Sequence, residues 1–369
     1  MDWILKSRSN ETVEASDNYY LASPSSGALW VSTSTLGLDA IGRTPTMRLE
    51  VNSSFNYRFY EGPGASGLHN SLGTYNHFGV EKSDALTTYN IGASYRTQEV
   101  AAAQLTQTGV ITGTGLVNTA VVDGGIKRQL SQTDTFGLSA RMTSTTFTAP
   151  GSAPYTDVLT TTDWNHRVNR FLDLTTAAQY DRLDYDNIAK SQVMIARATQ
   201  GIKAELTSRL TFKGTAGAAF VDATGNGAGN QFVPSAPFSV TQPTEGSSLD
   251  WIGDMNLAYK LSKIDDLSIF STKTVGPTII GQILAIDTFG ATLHHGINEL
   301  SSVALWSQYS VQAGPNGNVD LFATSATYNY RLTPEWQASI SYTFRDLLTT
   351  GAKASTFILS VTRDATIMP

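Results

Sequence analysis

The sequence predicts an all-β chain closed into a transmembrane antiparallel up-and-down β-barrel of about 18 strands, with about 16 as the lower alternative. Three observations lead there. Apolar and polar residues alternate with period two over unusually long segments. Short turn-like breaks recur roughly every 30–45 residues, with more variable breaks rich in Gly, Pro, Ser and Asn between them. No long segment keeps the 3.6-residue apolar period of an amphipathic helix.

The stretch MRLEVNSSFNYRFY (47–60) shows the pattern most plainly. Met47, Leu49, Val51, Phe55, Tyr57 and Phe59 alternate with Arg48, Glu50, Asn52, Ser54, Asn56 and Arg58, and Ser53 is the one lapse on the apolar face. Period-two alternation makes a strand with two different surroundings. Soluble strands usually run about five or six residues, and this one is more than twice as long. Along the chain, Tyr89, Ile91, Ala93 and Tyr95 oppose Thr88, Asn90, Ser94 and Arg96. Phe136, Leu138, Ala140 and Met142 oppose Thr135, Gly137, Ser139 and Arg141. Leu249, Trp251, Met255, Leu257 and Tyr259 oppose Asp250, Asp254, Asn256 and Lys260. The last clear segments set Phe322, Ala326, Tyr328 and Tyr330 against Ser325, Thr327, Asn329 and Arg331, then Trp336, Ala338, Ile340, Tyr342 and Phe344 against Gln337, Ser339, Ser341, Thr343 and Arg345. Two segments, 266–275 and 282–294, alternate without choosing a face.

The short breaks fall at IGRTP (41–45), EKSDA (81–85), KRQLSQTD (127–134), NHRVNRF (165–171), ELTSRL (205–210), LSKIDD (261–266), GINELS (296–301) and RLTPEW (331–336). Two long strands fit between consecutive short breaks, which makes a string of hairpins with short turns at one end and longer loops at the other. A propeller repeat of similar length would hold four short strands instead of two long ones. Strands of about ten residues or more match a tilted bilayer crossing, and closure leaves no strand edge exposed to hydrocarbon. The chain therefore reads as one domain over 1–369, with 1–11 as a periplasmic N-terminal extension and 223–248 as a long loop.

Composition agrees. Charged residues make up 15% of the 369, hydrophobic residues 41%, and mean hydropathy is −0.14. Uncharged polar residues fill the difference, which suits alternating strands. The net charge of −6 is dispersed, so no basic patch points to nucleic acid. The absence of cysteine excludes disulfides, thiol catalysis and cysteine metal sites. No run of 18 apolar residues marks a transmembrane helix. The opening MDWILKSRSNETVEASDNYY has neither a basic n-region nor a long apolar h-region, as expected of a mature chain in a Gram-negative outer membrane.

The segments SDNYYL (16–21), PTMRLEVNSSFNYRFYEG (45–62) and YNYRLTPEWQASISYTFRD (328–346) resemble, in order, the opening strand, second hairpin and terminal hairpin of the beta-barrel porin 2 group of outer-membrane proteins. The resemblance spans the chain as a pattern. It implies an outer-membrane barrel associated with exopolysaccharide export clusters, and it supplies no catalytic residues. One departure is the C-terminus: such barrels commonly end on an aromatic residue, and here the chain reads VTRDATIMP with Phe357 its last aromatic, so either a short tail follows the last strand or the terminal aromatic signal is weak.

A barrel of this size encloses a water-filled passage unless something plugs it. The expected pore-lining residues are Arg48, Glu50, Arg58, Arg96, Asp123, Arg141, Asp173, Arg197, Asp250, Asp254, Lys260, Arg331 and Arg345. Both signs are present, so no strong ion selectivity is implied. The expected lipid-facing and girdle residues are Tyr57, Phe59, Trp251, Tyr259, Tyr328, Tyr330, Trp336, Tyr342 and Phe344. The 223–248 loop, flexible at Gly225, Gly227 and Gly229 and stiffened by Pro234, Pro237 and Pro243, is a candidate constriction. His294 and His295 point to opposite faces of a strand and cannot easily chelate one ion. GNGAGN (225–230) lacks the strand–helix context and lysine of a phosphate loop. The expectation is a passive porin-like channel for small hydrophilic solutes or saccharides, with no cofactor, metal or enzymatic activity. Its partners would be outer-membrane lipid and lipopolysaccharide, saccharide, and other copies of the chain or an envelope complex. The alternative is a scaffolding barrel with a plugged or partner-filled lumen.

Overall fold

A computed structural model describes residues 1–65, 68–109, 111, 113–148, 153–186, 191–224, 246–278, 283–314 and 317–368. Eighteen strands form one sheet: β1 (Asp2–Ser16), β2 (Leu29–Arg43), β3 (Met47–Glu61), β4 (Ser71–Ser83), β5 (Thr87–Glu99), β6 (Leu116–Gln129), β7 (Asp134–Phe147), β8 (Tyr155–Asn169), β9 (Leu172–Tyr185), β10 (Gln192–Glu205), β11 (Leu210–Thr224), β12 (Gly246–Lys260), β13 (Asp265–Pro277), β14 (Ile283–Gly296), β15 (Ser301–Gly314), β16 (Gly317–Arg331), β17 (Trp336–Leu347) and β18 (Ala352–Met368). Each pairs antiparallel with its sequence neighbours, and β1 pairs with β18, so the sheet is a closed up-and-down barrel. Among the described residues one α-helix, α1 (Val100–Gln107), stands between β5 and β6, and a single 3-10 turn (Pro63–Ala65) follows β3.

Eight connections of two to four residues (44–46, 84–86, 130–133, 170–171, 206–209, 261–264, 297–300 and 332–335) lie at one rim; six fall within the short breaks of the sequence, and 44–46 and 84–86 overlap theirs and run one residue past. Most are built the same way. A Ser, Thr or Asn side chain accepts the backbone N–H three residues on, as Thr44 does from Met47 (2.9 Å), Ser131 from Asp134 (3.0 Å), Thr207 from Leu210 (3.0 Å), Ser262 from Asp265 (3.1 Å), Asn298 from Ser301 (2.9 Å) and Thr333 from Trp336 (3.1 Å). Such side chains imitate a backbone turn and satisfy amides the ladder leaves over. The opposite rim is uneven, with connections from two residues (315–316) to 21 (225–245).

Residues paired directly across a ladder share a face, so the registers carry one assignment around the barrel. On β3 the outward residues include Met47, Leu49, Val51, Ser53, Phe55, Tyr57 and Phe59; Val51, Phe55, Tyr57 and Phe59 are exposed and the other three are half-buried. Outward aromatics form two belts. Trp3, Tyr89, Phe136, Trp164, Tyr259, Tyr328, Tyr330 and Trp336 lie toward the short-turn rim. Trp30, Tyr57, Phe59, Tyr95, Tyr180, Phe220, Trp251, Tyr309, Tyr342 and Phe357 lie toward the long-loop rim. From Trp336 to Phe344 the strand climbs about 21 Å at ~3.4 Å per residue and a tilt of ~40°, close to the ~25 Å apolar band of an outer-membrane barrel. Buried clusters lie inside the barrel toward the long-loop rim, where connecting segments fold over the opening.

Four boundaries differ from expectation. Residues 2–11 are not an extension but the first two-thirds of β1, because β2 and β18 pair with them on either side. SDNYYL is not an opening strand: Ser16 ends β1, and Tyr19 turns inward to pack on Leu29, Val31 and Tyr60. Of the two readings of the C-terminus, the short tail is not seen among the described residues, because pairing with β1 extends β18 to Met368. Of the expected 223–248 loop, Ala223 and Thr224 belong to β11 and 246–248 to β12, while 225–245 lies outside the described residues. The constriction expected there, with its glycines and prolines, lies in that same segment.

Candidate functional site

The inward face is polar at mid-height. It is formed by the even residues of β1, β3, β5, β12, β13, β14, β15 and β18 and the odd residues of β2, β4, β6 to β11, β16 and β17. All thirteen charged residues singled out in the sequence have this parity, and the nine girdle residues have the other. Thr, Ser, Asn and Gln supply much of the remaining wall.

The charged residues separate into groups. Arg48 and Glu50 pair at 2.7 Å on β3, and Arg58 stands 3.9 Å from Glu99. Arg96, Asp123 and Arg141 share a groove of about 780 Å³ on β4–β9 with Tyr75, His77 and Gln179. Tyr75 and His77 lie with parallel rings, and the Arg96 guanidinium sits 4.9 Å over the Tyr75 ring. Cation–π placement of this kind holds a guanidinium extended along the wall. Asp173 is near the short-turn rim between Arg167 (3.4 Å) and Lys203 (4.0 Å). Lys260 and Arg331 end their strands at that same rim. Arg197 pairs with buried Asp181 at 3.4 Å, Asp254 accepts the Thr215 hydroxyl, and Asp250 meets Lys273 at 3.3 Å. Arg345 is 6% exposed and donates to Thr356 at 3.5 Å.

Toward the long-loop rim the lumen narrows. Helix α1 enters it from the end of β5, and four side chains of the helix and its flanks fix its direction. Glu99 caps no helical amide; it accepts hydrogen bonds from the Tyr60 and Ser71 hydroxyls. Ala101 and Ile111 pack with Tyr19, Leu29, Val31 and Tyr60 beneath the rim. Gln104 accepts the Gly113 N–H at 2.9 Å, folding the return strand of the loop against the helix. At its far end α1 reaches the other side. The Gln312 side chain of β15 donates to the Thr108 carbonyl, and Gln107 donates to the Pro277 carbonyl at 3.4 Å. Gly109, at φ +73°, ends the helix; an added Cβ would lie 2.4 Å from the Leu321 side chain. Only glycine meets both demands there. A second cavity of about 330 Å³ lies beside α1 among Glu14, Trp306, Gln308, Gln312 and Arg345.

Sequence reasoning on charge alternation passed over this helix. VAAAQLTQTG carries a usable signal, a run of good helix formers closed by glycine, but it is short and lies between two strong strand patterns. Glu99 was equally hidden: its parity is outward, and it turns inward only because the strand ends there. His295 pairs with Asp265 at 2.5 Å at the short-turn rim, and its neighbour His294 lies on the other face.

No family model and no curated protein sequence matches the chain. Solved structures do. The outer-membrane porin OpdK of Pseudomonas aeruginosa, determined with vanillate, superposes with a TM-score of 0.58 at 9% identity, covering 99% of this chain and 99% of OpdK. OccK8 (OprE) of the same species gives 0.57 at 11% identity, covering 100% and 99%. OccAB4 of Acinetobacter baumannii gives 0.55 at 9% identity, also covering 100% and 99%. The fold is that of an outer-membrane porin. At such identity the likeness concerns architecture, and the lumen residues must be judged on their own chemistry.

Proposed function

We infer that the protein is a passive channel of a Gram-negative outer membrane, admitting small hydrophilic solutes. The observation that carries this is a closed barrel with a polar, charged inner wall and an apolar outer wall belted by aromatics. Such a molecule has one stable environment, a bilayer around it and water within. Transport is passive because the lumen offers wetted walls and a constriction without an energy-coupling element among the described residues. For cargo, we extend the inference to neutral or weakly acidic saccharides, in keeping with the resemblance to exopolysaccharide-associated barrels. Tyr75, His77 and Trp306 provide ring faces, and Gln98, Gln179, Gln308 and the wall hydroxyls provide hydrogen-bonding groups. Arg96 and Arg141 would meet a carboxylate. The assay is single-channel conductance in planar bilayers, with and without oligosaccharides. Concentration-dependent block is the expected result. Open conductance without block would leave a general diffusion pore. A second reading, a scaffolding barrel, draws on the meeting of α1, β15 and the β13–β14 hairpin near the long-loop rim. Folded protein without measurable conductance would favour it.

A further inference from the structure

The cavity of about 330 Å³ beside α1 holds two opposite charges that do not meet. Arg345 lines it from β17 and is almost wholly buried. Its Nη2 donates to the Thr356 hydroxyl at 3.5 Å, while Nε and Nη1 have no hydrogen-bond partner. Buried guanidinium groups normally spend their donors, because a desolvated cation without partners is costly. Glu14 lines the same cavity from β1 and is the carboxylate whose field Arg345 feels most strongly. No ion pair joins the two among the described residues, and the register explains why. On β18, the strand between them, Glu14 stands opposite Ile358 and Arg345 opposite Ala354. Two inter-strand spacings and four residues of rise separate their backbones by about 16 Å, which the side chains shorten without closing. Arg58, the other cation near Glu14, stands 3.9 Å from Glu99.

The two charges together select the kind of ligand. A simple anion drawn to Arg345 is repelled by the Glu14 carboxylate, and a simple cation drawn to Glu14 is repelled by Arg345. A solute with both charges on one carbon meets attraction at each end. The remaining wall adds a second requirement. Ile286, Leu321 and Ile358 line the cavity with the Trp306 ring, and such a surface favours a side chain that gains by leaving water.

We propose that this cavity is a binding site for a small zwitterion, an α-amino acid with an apolar side chain, whose carboxylate pairs with the Arg345 guanidinium while its ammonium faces Glu14. The site rests on the channel reading for access from the lumen and does not depend on the saccharide inference.

Full-length protein folded in deuterated detergent is titrated with L-leucine, and binding is read by saturation-transfer NMR. N-acetyl-leucine keeps the carboxylate alone, and leucinamide keeps the ammonium alone. Saturable binding of leucine is expected, with each single-charge analogue weaker by about tenfold or more, the loss of one charge-assisted contact. Glu14→Gln removes the repulsion that a lone carboxylate meets, and should move the preference about tenfold toward N-acetyl-leucine. Arg345→Gln should move it by a similar factor toward leucinamide. A purely structural role for either residue would weaken all three probes alike. Glu14 is half-buried, so if Arg345→Gln fails to reach the heat-modifiable folded form, Glu14→Gln carries the test. Equal binding of the three probes, no saturable binding of leucine, or an unchanged preference in Glu14→Gln would overturn the site. Conductance of the same protein in planar bilayers tells that failure apart from failure of the channel reading. A normal pore without leucine binding removes the site alone, whereas charge-dependent leucine binding without conductance removes the channel and leaves the site.

Discussion

Placing an arginine at Val51 should impair barrel folding far more than placing one at Asn52, the adjacent residue. Val51 faces outward between Ala40 and Phe78, its partners on β2 and β4, and is 42% exposed on the barrel's outer wall. It lies four residues above Met47, about 10 Å at the tilted rise of the strand, which puts it near the middle of a ~25 Å apolar band. An arginine at that depth costs about 2–4 kcal/mol in an outer-membrane barrel, a factor of about 30 to 900 in the folding equilibrium. Asn52 faces the lumen, and its side-chain amide donates to Asp39 at 2.8 Å. An arginine there keeps a cation or donor beside Asp39 and remains in water, so the change should stay within about 1 kcal/mol. Urea titration of both variants in lipid vesicles, followed by tryptophan fluorescence and heat-modifiable mobility, measures the difference. Equal costs for the two substitutions, or a larger cost at Asn52, would refute the assignment of faces and with it the membrane reading.

Other predictions concern the lumen. Replacing residues 100–115 with a short Gly-Ser turn should raise conductance. α1 is about 12 Å long and ~10 Å across, and a barrel of 18 strands has a Cα radius of about 18 Å, or ~12 Å inside its side chains. The helix thus shades about a quarter of the opening, and an increase of about 1.3- to 2-fold is expected; no change would place α1 outside the conducting path. Arg96→Ala with Arg141→Ala removes two cations from the groove while Asp123 stays, so the reversal potential in a salt gradient should move toward cation selectivity. A shift toward anions would show that these arginines do not face the permeating ions.

Much of the architecture was legible because a barrel strand has two solvents. Lipid outside and water inside force a period-two code on each strand, and the code survives in MRLEVNSSFNYRFY without knowledge of any neighbour. The eight short turns were legible for a similar reason, since Ser, Thr, Asn and Pro carry their turn geometry locally. The two segments that chose no face, 266–275 and 282–294, are β13 and β14, whose upper ends meet the inner wall. There the irregular pattern was itself information, although its meaning needed the fold.

The sequence alone therefore determined the strand alternation, the short turns and a closed barrel, all of which follow from local chemistry repeated along the chain. Only the tertiary structure decided what lies within. Whether Glu99 turns inward, whether α1 reaches Gln312, and whether Arg197 captures the Val275 carbonyl depend on residues dozens to hundreds of positions apart. Closing the barrel brings those positions together, and a one-dimensional pattern has no term for a contact across the lumen.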